Sequence, residues 1–170
     1  MSLKKHLVQE FEQRVFEESY ARIYKCLTML DEKQLWSSPN ATIPPAGCQI
    51  LHLCGNARQW ILSGLGGLPD NRDRDQEFVV QENIRKSDFI FLLENIKSQL
   101  GRCFNELKEE DITAIHSIQG FKVTGFSAIA HVMEHFSYHS GQITLLTKIH
   151  TGKETGFYSE MDLNQHNNLN

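Results

Sequence analysis

Cysteine and proline are sparse in this chain of 170 residues, with four of each, and what they and the charges fail to form sets the first limits. Cys26, Cys48, Cys54 and Cys103 are scattered without a Cys-x-x-Cys pair, so neither a disulfide framework nor a cysteine zinc site is expected. Lys and Arg number 17 against 21 Asp and Glu, for a formal charge of -4, and the lack of a basic block excludes a nucleic-acid footprint. No run approaches the roughly 18 apolar residues of a membrane span, and the charged N-terminal segment lacks the apolar stretch of a signal peptide. The expectation is a cytoplasmic protein without membrane or nucleic-acid partners. Its length suits a single domain over residues 1–170 with a substantial core.

Apolar periodicity supplies the elements. Ser2 is a candidate N-cap for a long amphipathic helix carrying Leu3, Leu7, Phe11, Val15, Tyr20, Ile23, Leu27 and Leu30, which ends near Asp31 or after Trp36. Pro39, Pro44 and Pro45 break the chain between Ser37 and Gly47, because proline fixes φ and removes a donor. A second helix with Ile50, Leu53, Cys54, Ala57 and Ile61 as its aliphatic stripe stops in Gly64-Leu-Gly-Gly-Leu-Pro69. The alternating charges of Asp70 to Glu77 suit either a solvated loop or a mouth lined with charge. A third helix is predicted from about Ser87 to Leu107, with Ile90, Leu93, Ile96, Leu100 and Phe104 at core spacing. Residues 112–125 read as a loop with a short extended piece, and the fourth helix as about Phe126 to His150. Beyond Gly152, Phe157, Tyr158, Met161 and Leu163 either dock the tail or leave it loose. Four amphipathic helices predict an all-α, up-and-down antiparallel four-helix bundle, with function in its long loops.

The segment His131-Val-Met-Glu-His135-Phe-Ser-Tyr-His139-Ser-Gly-Gln142 places three histidines at four-residue steps. At about 3.6 residues per turn they form a strip along one helix face, and two imidazoles one turn apart can converge on one metal ion. Sites in bundles are built from facing helices, and His52 is the natural partner on the second helix. It shares a polar strip with Cys48, Asn56, Gln59 and Ser63, as Tyr138 and Gln142 share the strip of the fourth helix. His131 is either a further ligand or a hydrogen-bonded core histidine.

Several chemistries are excluded. A zincin needs HExxH, and Phe136 stands where the glutamate should follow His135. A di-iron bundle needs Glu-x-x-His, which does not occur. A Cys-His nucleophile has one geometric candidate, Cys48, for which inert packing is the simpler role.

His52 followed by His135-x-x-x-His139-x-Gly141-Gln142 near the end of a four-helix chain resembles the DinB/YfiT-like superfamily of bacterial metalloenzymes. So do Leu-His-Leu-Cys-Gly-Asn-Ala-Arg-Gln-Trp (51–60), Gly-Leu-Gly-Gly (64–67) and Asp-Arg-Asp (73–75), which are similar to a subgroup of unassigned function. The resemblance implies that His52, His135 and His139 bind one divalent metal, commonly zinc or nickel. It also implies one of two activities on a small-molecule substrate, S-transfer with a low-molecular-weight thiol such as mycothiol or bacillithiol, or metal-dependent hydrolysis. The alternative is a non-catalytic, stress-related metal-binding domain, and a homodimer is the expected self-association.

Three neutral imidazoles leave a metal its full charge and an open position, so a water or thiol taken there loses its proton near neutral pH. Cys48, Asn56, Gln59, His131, Tyr138 and Gln142 are then expected to orient ligands or line the substrate site. Arg58, Arg72 and Arg74 are candidates for holding a substrate anion.

Overall fold

The computed structural model describes residues 2–166. The first helical stretch comprises α1 (Leu3–Phe11), a π-helical segment (Glu12–Ser19) and α2 (Tyr20–Met29). Ser2 caps it as expected, its side chain accepting from the Lys5 amide at 3.3 Å. In the π segment the Ser19 hydroxyl donates to the Arg14 carbonyl, 2.9 Å away and five residues back. Asp31 then caps the short α3 (Glu32–Leu35) in a reciprocal box with Gln34.

The second stretch is α4 (Ala46–Ala57), continued by a π-helical segment (Arg58–Ser63). A 3-10 turn (Asp75–Phe78) lies in the long connection to α5 (Lys86–Glu106). After α6 (Glu109–Thr113), the expected extended piece is an antiparallel hairpin of β1 (Ile115–Ile118) and β2 (Phe121–Thr124), with Ile115 opposite Thr124 and Ile118 opposite Phe121. Its turn residues Gln119 and Gly120 have φ of 51° and 82°, the positive pair that a two-residue turn needs to match strand twist. Thr124 then caps α7 (Gly125–Thr151), which Gly152 terminates in the left-handed conformation at φ 64°.

Direction follows from paired contacts. Phe11 meets Phe104 and Tyr20 donates to the Leu93 carbonyl, so the first stretch runs antiparallel to α5. His52 meets His139 and Asn56 meets His131, so α4 is antiparallel to α7. Tyr20 packs on Phe136 and Cys26 reaches Thr144, whereas Arg58 meets Gln99 and Cys103 meets Ile61; these two neighbouring pairs are parallel. The strict up-and-down alternation expected from the sequence is therefore corrected to up, down, down, up. The connection from Gly64 to Arg85 is long enough to return the chain to its starting end before α5 begins, as crossover loops in such helical folds do.

The core holds Phe11, Tyr20, Phe89, Phe104 and Phe136, all essentially without exposure, and burying each such side chain contributes about 1.5–3 kcal/mol. Ile90, expected in the core, is exposed because Phe89 and Leu93 hold the inner face of α5. The tail docks through Thr155 and Phe157 and through Tyr158, whose hydroxyl accepts from Arg22 at 2.6 Å, while Met161 and Leu163 stay outside. Among the described residues no helix is long and apolar enough to cross a membrane.

Candidate metal centre

The polar strip of α4 faces the interior. His52, Gln49 and Asn56 are as buried as the aliphatic stripe on the other side, because α7 covers one flank of α4 and α5 the other. The antiparallel crossing brings His52 against His135 and His139, with ring centroids 4.8 and 5.0 Å away and 4.4 Å between the latter two. One donor nitrogen from each of the three lies within 4.8 Å of the others, and among the described residues no further His, Cys, Asp or Glu joins the group.

Burial, then the neighbouring histidines and Arg72, pushes His135 down to about 3. Burial and His52 push His139 down to about 4, with nearby Gln142 working the other way. Both are therefore neutral at pH 7, the form in which imidazole offers a lone pair. In His52 and His139 the second ring nitrogen is already engaged. His52 Nδ1 lies 2.8 Å from Glu77 Oε2 and donates to it, and His139 Nδ1 donates to Gln49 Oε1. In a neutral ring that donates through Nδ1, Nε2 is the nitrogen that carries the lone pair. Among the described residues His135 Nε2 is buried without any hydrogen-bond partner, an arrangement that costs about 1–3 kcal/mol unless something fills it. A divalent cation among the three nitrogens fits this donor set.

The remaining candidates separate. His131 accepts from Asn56 Nδ2 at 3.2 Å and stacks on Trp60, outside the three-nitrogen group. Gln142 Oε1 and Asn56 Oδ1 are buried and unpartnered beside the histidines. Tyr138 is exposed, its ring edge-on to His139 at 5.0 Å. Cys48 does not line the site: its Sγ points to the Val79 carbonyl at 3.8 Å, and burial pushes its thiol up.

Each of the three arginines meets a group of the protein itself. Arg72 is buried on the protein's own anion, with Nε 2.7 Å from Glu77 Oε1 and Nη2 2.8 Å from Oε2. Arg58 turns outward to Gln99, and Arg74 lies over the Phe78 ring at 5.0 Å. Burial would push Glu77 up, but hydrogen bonds from Arg72 and His52 and the charge of Arg72 bring it below the usual carboxylate range. The charged run thus supplies a buried pair, and its solvated-loop reading is corrected at Arg72 and Glu77.

Sequence reasoning missed Gln49, Glu77 and Phe78, whose ring lies 4.9 Å from that of His52. Gln49 stands one turn before His52 and was legible from helical spacing. Glu77 is 25 residues away in a loop, where no periodicity points to it. A cavity of about 240 Å3 lined by Thr42, Pro44, Leu145 and Ile149 reaches Gln49, the partner of His139, and Gln142.

The family described as a protein of unknown function, DUF1572, matches residues 4–159. The chain belongs to that family. DUF1572 falls in the DinB/YfiT-like fold superfamily, in line with the histidine spacing. A DinB-like protein from Bacillus cereus is similar at TM-score 0.68 and 18% identity, over 89% of this chain and 94% of that one. A conserved protein from Enterococcus faecalis is similar at TM-score 0.71 and 15% identity, over 90% and 99%. At such identities the likeness establishes the fold. No curated protein matches the chain.

Proposed function

We propose that this DUF1572 protein is a metal-dependent enzyme acting on a small molecule, as a thiol S-transferase or a hydrolase. His52, His135 and His139 hold one divalent cation, zinc or nickel. On this reading the four long stretches are a four-helix bundle, with the hairpin and short helices as insertions. The observation that carries it is the three-histidine group itself, with His135 and His139 neutral, a buried unpartnered His135 Nε2, and no fourth His, Cys, Asp or Glu in the group among the described residues. Structural sites are closed by four ligands, so this set favours catalysis over a purely stabilising or interaction role.

When bound, the cation supplies a Lewis acid that lowers the pKa of a water or thiol brought to it. The protein's residues do the rest. Gln49 and Glu77 hold two imidazoles with Nε2 free, and the Gln142 and Asn56 carbonyls offer acceptors to N–H or O–H groups of a substrate. The cavity at Gln142 excludes water from an apolar substituent. Any nucleophilic sulfur comes from a thiol cofactor. All four protein thiols are buried and pushed up, Cys54 to about 12 and Cys103 to about 11.

The test is thiol conjugation and ester or amide hydrolysis by zinc- or nickel-loaded protein against chelated protein. A rate that needs the metal, with coordination by three histidines in the metal-edge spectrum, supports the reading. Equal rates in both preparations, or a closed four-ligand spectrum, sink it.

A further inference from the structure

We infer that Arg72 and Glu77 are positioning residues that latch the Gly64–Arg85 connection onto His52, and that Gly55 is the gap in α4 that admits them. The inference rests on the three-histidine reading and gives these side chains a task in it.

Three residues of the second helical stretch, His52, Gly55 and Gln59, follow one another at steps of three and four and so share one strip. Each meets the connection. His52 Nδ1 donates to Glu77 Oε2 at 2.8 Å, and Gln59 Oε1 accepts from Arg72 Nη1 at 2.8 Å while its Nε2 donates to Asp70 Oδ2 at 2.9 Å. Between them Gly55 carries no side chain. A Cβ there would collide with Glu77 Oε1 and stand 2.8 Å from Glu77 Cδ and 3.2 Å from Arg72 Nε. Backbone freedom does not explain this glycine, since it sits inside a regular helix with ordinary φ.

The side chains of Arg72 and Glu77 are only 6% and 10% exposed. Burying a carboxylate is costly unless it is paired and its lone pairs are used, and the bidentate guanidinium together with His52 meets both needs. The latch therefore does for His52 what second-sphere carboxylates do for metal-bound imidazoles generally: it fixes ring orientation and keeps the proton on Nδ1.

The test uses full-length protein with Glu77→Ala, Glu77→Gln, Gly55→Ala and, as a control, Gly101→Ala, where a Cβ meets nothing within 4 Å. Zinc affinity is read by competition with a chromophoric chelator, and the His52 tautomer by nitrogen NMR of chelated protein. Glu77→Ala and Gly55→Ala should each weaken zinc about 10–100-fold and shift His52 away from the Nδ1–H form. Glu77→Gln, which keeps one acceptor, should fall between them and wild type, and Gly101→Ala should match wild type. If zinc affinity and tautomer stay unchanged in Glu77→Ala and Gly55→Ala while melting temperature drops, the latch is only structural and the inference is overturned. Wild-type protein that takes up no zinc overturns the metal reading itself, a result separable from the first because the tautomer is read without metal.

Discussion

The His131 imidazole lies against the Trp60 indole with ring centroids 3.9 Å apart and planes 33° from parallel. Its Nε2 is occupied by the Asn56 amide at 3.2 Å, so this histidine belongs to the seam between α4 and α7 and not to the three-nitrogen group. His131→Ala should keep its full metal content after dialysis. It should lose about 1–3 kcal/mol of stability, from the stack and from an Asn56 amide left buried. Metal loss as deep as in His135→Ala would make it a ligand.

The three proposed ligands should differ in a way that burial alone does not predict. Each of His52→Ala, His135→Ala and His139→Ala should abolish stoichiometric zinc binding. In metal-free protein, however, His52→Ala takes from Glu77 Oε2 one of its two donors, leaving Arg72, and His139→Ala strands Gln49 Oε1, losses of about 1–3 kcal/mol each. His135→Ala removes an Nε2 that has no partner, so it should cost the metal-free protein least of the three. Urea denaturation with chelator present checks the order, and equal costs would show that His135 Nε2 has a partner in the metal-free protein.

Stability of the metal-free protein should fall with acidification. His135 and His139 are pushed down to about 3 and about 4, while in the unfolded chain they titrate near the ordinary value of about 6.5. Below that value the unfolded state binds more protons, so the stability is complete above about pH 6.5 and drains as pH falls toward the folded values. Glu77, also lowered, adds a loss in the same direction at lower pH, beginning near the unfolded carboxylate range. Midpoints of chelated protein between pH 7.5 and 5 should decline, less steeply in His135→Ala. Zinc affinity should weaken below about pH 6 because bound imidazoles must be neutral. Midpoints that rise on acidification would contradict the buried neutral histidines.

The long helices were legible because their apolar periods are strong: α5 and α7 lie within one residue of the limits read from spacing and caps. Periodicity reports which face is buried and nothing about direction, so the parallel pairing of α4 with α5 could not be read. The three histidines were legible for the same reason, as residues at helical steps on two helices. Glu77 and Arg72 were not, because in sequence a charged run looks the same whether it meets water or closes on itself as a buried pair. Nor were the π segments over Glu12–Ser19 and Arg58–Ser63, whose side chains satisfy an ordinary helical pattern.

The cavity beside Gln142 gives the proposed activity a specificity that can be measured before a substrate is known. It presents Ile43, Pro44, Leu145, Leu146 and Ile149 around the Gln49 and Gln142 amides, and among the described residues no charged side chain lines it. A ligand that engages the metal and extends an alkyl chain into it should gain affinity with length, at about 0.8 kcal/mol per buried methylene. Butyrohydroxamate should therefore bind zinc-loaded protein about tenfold more tightly than acetohydroxamate, which has two methylenes fewer. Leu145 is 59% exposed at the rim, so Leu145→Arg should fold normally while placing a charge at the mouth. That variant should bind acetohydroxamate like wild type and lose most of the gain from the longer chain. Isothermal titration of both ligands against both proteins decides it: no length dependence in wild type would remove this cavity from the substrate path and leave the three-histidine assignment standing.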